Sequence, residues 1–137
     1  MDHILVTGAT SGLGLELAKL LPSHFPNHGV ILVGRDENRL GRISKCLGEF
    51  VSVIPIKCDI AKRGDLESLV EMINSLSVSH GFLVAGSGLA NEFSLNSPEV
   101  EDELVSATCL GTVVLARHVL TGGGKGRKTS CHRFINC

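Results

Sequence analysis

Short apolar clusters alternate with chain breakers along the whole sequence. Ile4-Leu5-Val6 ends at Gly8 and reads as a buried strand. Leu13, Leu17, Leu20 and Leu21 then recur at helical spacing, and Pro22 predicts the stop of that helix. Asn27-His28-Gly29 is turn-like and leads into a second strand, Val30-Ile31-Leu32-Val33. After Asp36, Leu40, Ile43 and Leu47 share one helical face before Gly48, and Val51 to Ile54 reads as a third strand. Leu66, Leu69, Val70 and Ile73 mark a third helix, and Phe82-Leu83-Val84-Ala85 a fourth strand broken at Gly86-Ser87-Gly88. Ser97-Pro98-Glu99 is a helix start: a capping hydroxyl, proline at the first helical position, then acid at the positive end of the dipole. That helix runs towards Leu120, and Phe134-Ile135-Asn136-Cys137 opens a fifth strand.

Strands this continuously apolar, alternating with helices, predict an α/β fold. The expectation is a Rossmann-like, doubly wound parallel sheet of about five strands, covered by helices on both faces. No internal repeat or composition shift divides the chain, so residues 1–137 are expected to form a single domain.

Composition narrows the function classes. The 137 residues are 43% hydrophobic and 20% charged, which excludes a disordered chain, and a net charge of -1 provides no global attraction for nucleic acid or an anionic membrane. No apolar run approaches the roughly 18 residues of a spanning helix, and no leader precedes Ile4, so the expectation is a cytoplasmic protein with no membrane or nucleic-acid partner. The five cysteines, Cys46, Cys58, Cys109, Cys131 and Cys137, are odd in number and scattered. Reduced thiols fit them better than a disulfide framework, and Cys131-His132 with Cys137 lacks a fourth ligand, so no metal site is expected.

The stretch Leu5-Val-Thr-Gly-Ala-Thr-Ser-Gly-Leu-Gly-Leu-Glu-Leu17 carries the candidate chemistry. In a parallel sheet, the first strand-to-helix turn lies at the carboxyl edge, where a helix amino end offers unpaired N–H groups to an anion. A tight connection alone could also call for glycines here. G-x-G-x-x-G would need glycine at Leu17, and the triphosphatase loop needs G-x-x-x-x-G-K-[ST], which neither glycine run supplies. What stands is Thr7-Gly8-x-x-x-Gly12-x-Gly14. This resembles the T-G-x-x-x-G-x-G motif of the classical short-chain dehydrogenase/reductase family, and not the T-G-x-x-G-x-x-G of its extended members.

The resemblance, which spans Ile4 to Cys137, implies that Gly8, Thr10, Ser11, Gly12, Leu13 and Gly14 cradle a dinucleotide. Arg35, after the second strand, stands where such a site reads the adenosine ribose, and a guanidinium there implies NADP (NADPH) rather than NAD. An ion pair of Arg35 with Asp36 or Glu37 is the plain alternative. Cys58-Asp59-Ile60 matches the family's D-[VIL] step, which places Asp59 and Ile60 at the adenine; an ordinary turn-initiating Asp would look the same. Ala85-Gly86 matches the end of N-N-A-G, with Leu83 and Val84 in place of the asparagines.

The family transfers hydride between the nicotinamide and a carbonyl or alcohol. It uses a tyrosine whose pKa is lowered by a lysine four residues on, a serine, and an asparagine. A free phenol, with a pKa of about 10, is too weak an acid at neutral pH without such help. This chain contains no tyrosine. Against Gly111, the asparagine position is Thr108, and no serine follows Ile135-Asn136-Cys137. His80 and His118 are the histidines nearest relevant elements, with His118 expected on a partly exposed face. Pro26 separates His24 from His28, and Ser87 has no evident base. Lys125, Arg127, Lys128 and Arg133 form a basic loop without aromatic residues for stacking.

No catalytic residue is therefore assigned. The expectation is the amino-terminal, cofactor-binding part of an NADP-dependent oxidoreductase, inactive alone. It would bind a small carbonyl or alcohol substrate only in a complete chain. Its last strand would form a sheet edge, and surface left uncovered would favour self-association. The alternative is a non-catalytic NADP(H)-binding sensor or interaction protein.

Overall fold

The computed structural model describes residues 1–86 and 97–121 and the backbone of Phe134–Asn136. Five parallel strands, β1 (Asp2–Thr7), β2 (Gly29–Gly34), β3 (Val53–Lys57), β4 (Ser77–Leu83) and β5 (Phe134–Asn136), form one sheet in the order β3-β2-β1-β4-β5. The helices α1 (Gly12–His24), α2 (Glu37–Leu47), α3 (Arg63–Asn74), α4 (Pro98–Val105) and α5 (Thr112–Leu120) connect them. The chain builds outward from β1 to β3, then crosses to β4 on the other side. The winding direction thus reverses between β1 and β4, and this opens a crevice at their carboxyl ends.

Period-2 alternation divides the strand residues between two cores. Ile4, Val6, Val30 and Leu32 face one way and pack with Ala18 and Leu21 of α1 and Leu40 and Leu47 of α2. Leu5, Ile31 and Val33 face the other way and pack with Leu66, Leu69 and Ile73 of α3 and Leu115 and Val119 of α5. Both faces are buried from Ile4 onward in β1 and throughout β2, which is why residues 4–6 and 30–33 are apolar without interruption.

Several elements depart from the sequence expectation. Pro22 lies inside α1, not at its end: it falls in the last turn, and Phe25 N–H still closes on Leu21 O at 2.8 Å. The third strand is displaced to Val53–Lys57, because Val51 N–H is taken by Leu47 O at 3.1 Å in the preceding turn. Pro55 is accommodated within it because β3 is an edge strand of the described sheet. The fourth strand begins at Ser77 and ends at Leu83, five residues earlier at its start than the apolar run shows. Its polar first half pairs with the start of β1, where Ser77 Oγ donates to Asp2 Oδ1 at 2.6 Å and Ser79 Oγ to His3 O at 3.3 Å.

From Pro98 to Leu120 the helical path is unbroken, as the sequence predicts, but Ser106–Gly111 winds as a π-helical turn between α4 and α5. This 23-residue path is long and apolar enough to cross a membrane by length and composition, contrary to the expectation that no segment is. Counting consecutive apolar residues misses it because polar side chains interrupt the run. Ala107, Gly111, Leu115 and Val119 are its buried positions, and Leu115 and Val119 seat it against the sheet. Ser97 is the N-cap, yet its hydroxyl engages the Glu99 carboxyl and not a backbone N–H. Glu99's own backbone N–H, followed by Ser97, holds that carboxyl below its ordinary value.

Candidate functional site

The crevice between β1 and β4 holds a cavity of about 260 Å³. Its floor is the β1–α1 turn. Gly8 has φ +68°, and a Cβ there would lie 2.9 Å from Ala85 Cα, so the turn passes directly against the end of β4. Thr7 locks this junction: its buried Oγ1 accepts the Ala85 N–H at 3.1 Å. Gly14 brings the first turn of α1 down onto the same loop. A Cβ at Gly14 would collide with the Gly8 carbonyl, 2.7 Å from its carbon, and would stand 3.0 Å from Val84 Cγ2. Gly12, at φ +53°, has open space where its side chain would be.

The helix start above this floor is electrostatically vacant. Ser11 is the N-cap of α1 but makes no side-chain capping bond, and the first turn contains no acid. By contrast, α2 is capped by Asp36, whose Oδ1 accepts Arg39 N–H at 3.0 Å, with Glu37 in its first turn. The N–H groups and partial positive charge at the start of α1 therefore face the cavity without a partner from a capping side chain. A pyrophosphate would supply the missing acceptor, and the clearance at Gly8 and Gly14 fits the close approach of backbone to phosphate.

All eleven residues marked in the sequence, Gly8, Thr10, Ser11, Gly12, Leu13, Gly14, Arg35, Asp59, Ile60, Ala85 and Gly86, line this one cavity. Arg35 pairs with neither Asp36 nor Glu37, because Asp36 is occupied by α2 and Arg39, and Glu37 reaches Lys57 at 3.5 Å. Its partner is Glu103 of α4, at 3.6 Å. Asp59 does form the turn that its position allows, since its Oδ1 accepts Ala61 N–H at 3.1 Å, while Asp65 Oδ2 accepts Asp59 N–H at 3.1 Å. The turn and the cavity wall are the same structure.

Six lining residues carry no mark in the sequence: Val33, Gly34, Cys58, Val84, Glu103 and Ala107. Val33, Gly34, Cys58 and Val84 lie within two residues of marked positions at strand ends, so a rule counting whole strand termini would have found them. Glu103 and Ala107 lie four apart on the α4 path, and no local motif announces them. The π turn ends at Gly111, where a side chain has no room: a Cβ there would meet Ile60 O at 2.9 Å. Cys58 sits buried in the wall, its thiol pushed up to about 11 by burial and then by Asp65 and Asp59. It is a packing thiol rather than a nucleophile.

No histidine lines the cavity among the described residues. His80 packs near Phe25 and His28, with ring centroids 5.1 and 5.8 Å away, towards the opposite end of the strands. His118 is half-buried on α5, and burial lowers its pKa. Thr108, at the family's asparagine position, is beside the cavity: a side chain at Gly86 would meet its Oγ1 at 3.7 Å. Ser87, the basic loop, and Cys131, His132 and Cys137 lie outside the described residues.

Comparison with known proteins bears on the family and the fold. The family model for short chain dehydrogenases matches residues 2–128. An uncharacterized oxidoreductase of Bacillus subtilis, DltE, is 33% identical over 91 residues, covering 66% of this chain and 34% of its own length. The very-long-chain 3-oxoacyl-CoA reductase of Aspergillus terreus is 29% identical over 127 residues, covering 86% and 35%. The bulky-bulky ketone specific alcohol dehydrogenase of Comamonas testosteroni superposes with a TM-score of 0.78 at 26% identity, over 88% of this chain and 49% of its own. A short-chain dehydrogenase from Sphingobium yanoikuyae in complex with NADPH gives 0.78 at 24%, over 87% and 47%, and shares the fold. The chain thus spans about a third of the length of the two curated relatives above and about half of that of a third, the carbonyl reductase family member 4 of Danio rerio.

Proposed function

The chain belongs to the short-chain dehydrogenase family, and from that premise we propose that it is the NADP(H)-holding portion of a cytoplasmic carbonyl or alcohol oxidoreductase. The observation that carries this reading is the start of α1, with neither capping side chain nor first-turn acid, opening above two glycines onto a cavity that contains Arg35. Gly8 and Gly14 admit the pyrophosphate to the backbone, and the N–H groups of the first turn neutralise it. Asp59 and Ile60 flank the adenine. Arg35 pairs with the 2′-phosphate. A bound nicotinamide would supply or accept the hydride; the residues of this chain bind and orient it.

The proton that must move with the hydride finds no tyrosine, lysine or histidine among the described lining residues. The chain contains no tyrosine at any position. The 137-residue chain is therefore expected to bind without turnover. Exposed Val105, Leu110 and Val113 on the α4–α5 path favour self-association. The same cradle, without tyrosine, lysine or histidine in its described lining, also suits a non-catalytic NADP(H) sensor, the second reading.

Calorimetric titration tests the proposal. NADPH should bind the 137-residue chain, and Arg35→Asp should weaken binding by roughly tenfold or more, since an attractive contact becomes a repulsive one. Equal NADPH affinity in the two proteins would refute the assignment of Arg35, and carbonyl reduction by the purified chain would refute the absence of turnover.

A further inference from the structure

We infer that Glu103 is a specificity-determining residue that opposes Arg35 in the choice between phosphorylated and unphosphorylated cofactor. The inference rests on the NADP(H)-binding reading above and adds to it a residue on a different element, α4, that the sequence does not single out.

Arg35 is the one cationic side chain among the described lining residues, and two carboxylates, Asp59 and Glu103, share the cavity with it. Asp59 has one oxygen committed to Ala61 N–H. Glu103 reaches across from α4 to the guanidinium at 3.6 Å, and the two sequence neighbours that could otherwise hold Arg35 are engaged with Arg39 and Lys57. The described lining of the cavity thus carries one positive and two negative charges, and its one cation is already paired with Glu103.

A 2′-phosphate must draw Arg35 away from Glu103. The pair is half-exposed on both sides and therefore weak, so the exchange is affordable, but the released carboxylate remains beside a dianion. A ribose with a free 2′-hydroxyl meets the opposite situation, because a carboxylate accepts a hydrogen bond from it and Arg35 can stay where it is. The same side chain therefore penalises one cofactor and tolerates or favours the other. Arg35 alone would make the site selective for NADP(H), and with Glu103 present the selectivity is compressed.

The test is calorimetric titration of NADPH and of NADH into the 137-residue chain, into Glu103→Gln and into Asp102→Asn. Asp102 is exposed on α4 and does not line the cavity, so its variant controls for net charge. Glu103→Gln should raise the NADPH-over-NADH preference by roughly three- to tenfold, while Asp102→Asn should change it by less than about twofold. An unchanged or lowered preference in Glu103→Gln, or an equal rise in Asp102→Asn, would overturn the inference and leave the cofactor reading intact. Failure of the wild-type chain to bind either dinucleotide would overturn both.

Discussion

Replacing different glycines with alanine should move stability in opposite directions, and the structure sets the order. At Gly14 the new methyl would press on the Gly8 carbonyl, 2.7 Å from its carbon, and on Val84 Cγ2 at 3.0 Å. The carbonyl is backbone and has no rotamer to yield, so the β1–α1 turn itself must spread. The cost belongs at the upper end of overpacking penalties, about 3 kcal/mol. At Gly12 no atom stands in the way, and only the left-handed φ of +53° is penalised, by about 1–2 kcal/mol. At Gly41, inside α2 with open space around it, alanine meets nothing and restricts the unfolded chain, for a gain of about 0.5–1 kcal/mol. Urea unfolding followed by far-ultraviolet circular dichroism measures all three. With an m-value of about 1.5 kcal/mol/M, the midpoints should fall by about 2 M, fall by about 1 M and rise by about 0.5 M. Gly14→Ala should also abolish NADPH binding. A midpoint for Gly14→Ala no lower than that of Gly12→Ala would refute the close-approach argument, and a lowered midpoint for Gly41→Ala would refute the claim of open space.

Two further outcomes follow from the walls of the cavity. Thr7→Val keeps the shape of the side chain but leaves the Ala85 N–H without its acceptor, which should cost about 1–3 kcal/mol, whereas Thr7→Ser should retain most of the stability; equal losses in urea would argue against the hydrogen bond. Cys58 should resist iodoacetamide at pH 8 in the native protein while exposed Cys46 and Cys109 react, as peptide mapping would show. Its thiol is raised from 9.0 to about 11, so the folded state holds the proton longer than the unfolded one; stability from this group is full below pH 9 and is lost as pH climbs towards 11. Urea midpoints at pH 8 and pH 11 should differ more in the wild type than in Cys58→Ala, and an identical difference in the two proteins would refute the assignment.

Much of the architecture was legible because burial on both faces leaves a direct imprint. Ile4-Leu5-Val6 and Val30 to Val33 are apolar at every position since each strand feeds two cores. The glycine turn was legible for a similar reason: Gly8 and Gly14 are demanded by contacts within a few residues of themselves and by one neighbouring strand. Elements at the margins were not. The first half of β4 satisfies its polar side chains through Asp2 and His3, distant in sequence, so Ser77 and Ser79 look like loop. Pro22 and Pro55 look like breakers, yet α1 continues through Pro22 to His24, and Pro55 lies on an edge strand, where a missing N–H costs little.

The sequence by itself determined the class of fold, the phosphate-cradling turn and the absence of a tyrosine, because each of these is carried by local spacing or by composition. The tertiary structure alone decided which groups face one another across the crevice. Arg35 has two acids as its immediate neighbours in the chain, and electrostatics on the sequence would pair it with one of them. Folding commits Asp36 to a helix start and Glu37 to Lys57, and swings α4 over the carboxyl ends of the strands so that Glu103 becomes the partner. Charge pairing depends on distance through space, and here that distance is set by where the chain crosses from β3 back to β4.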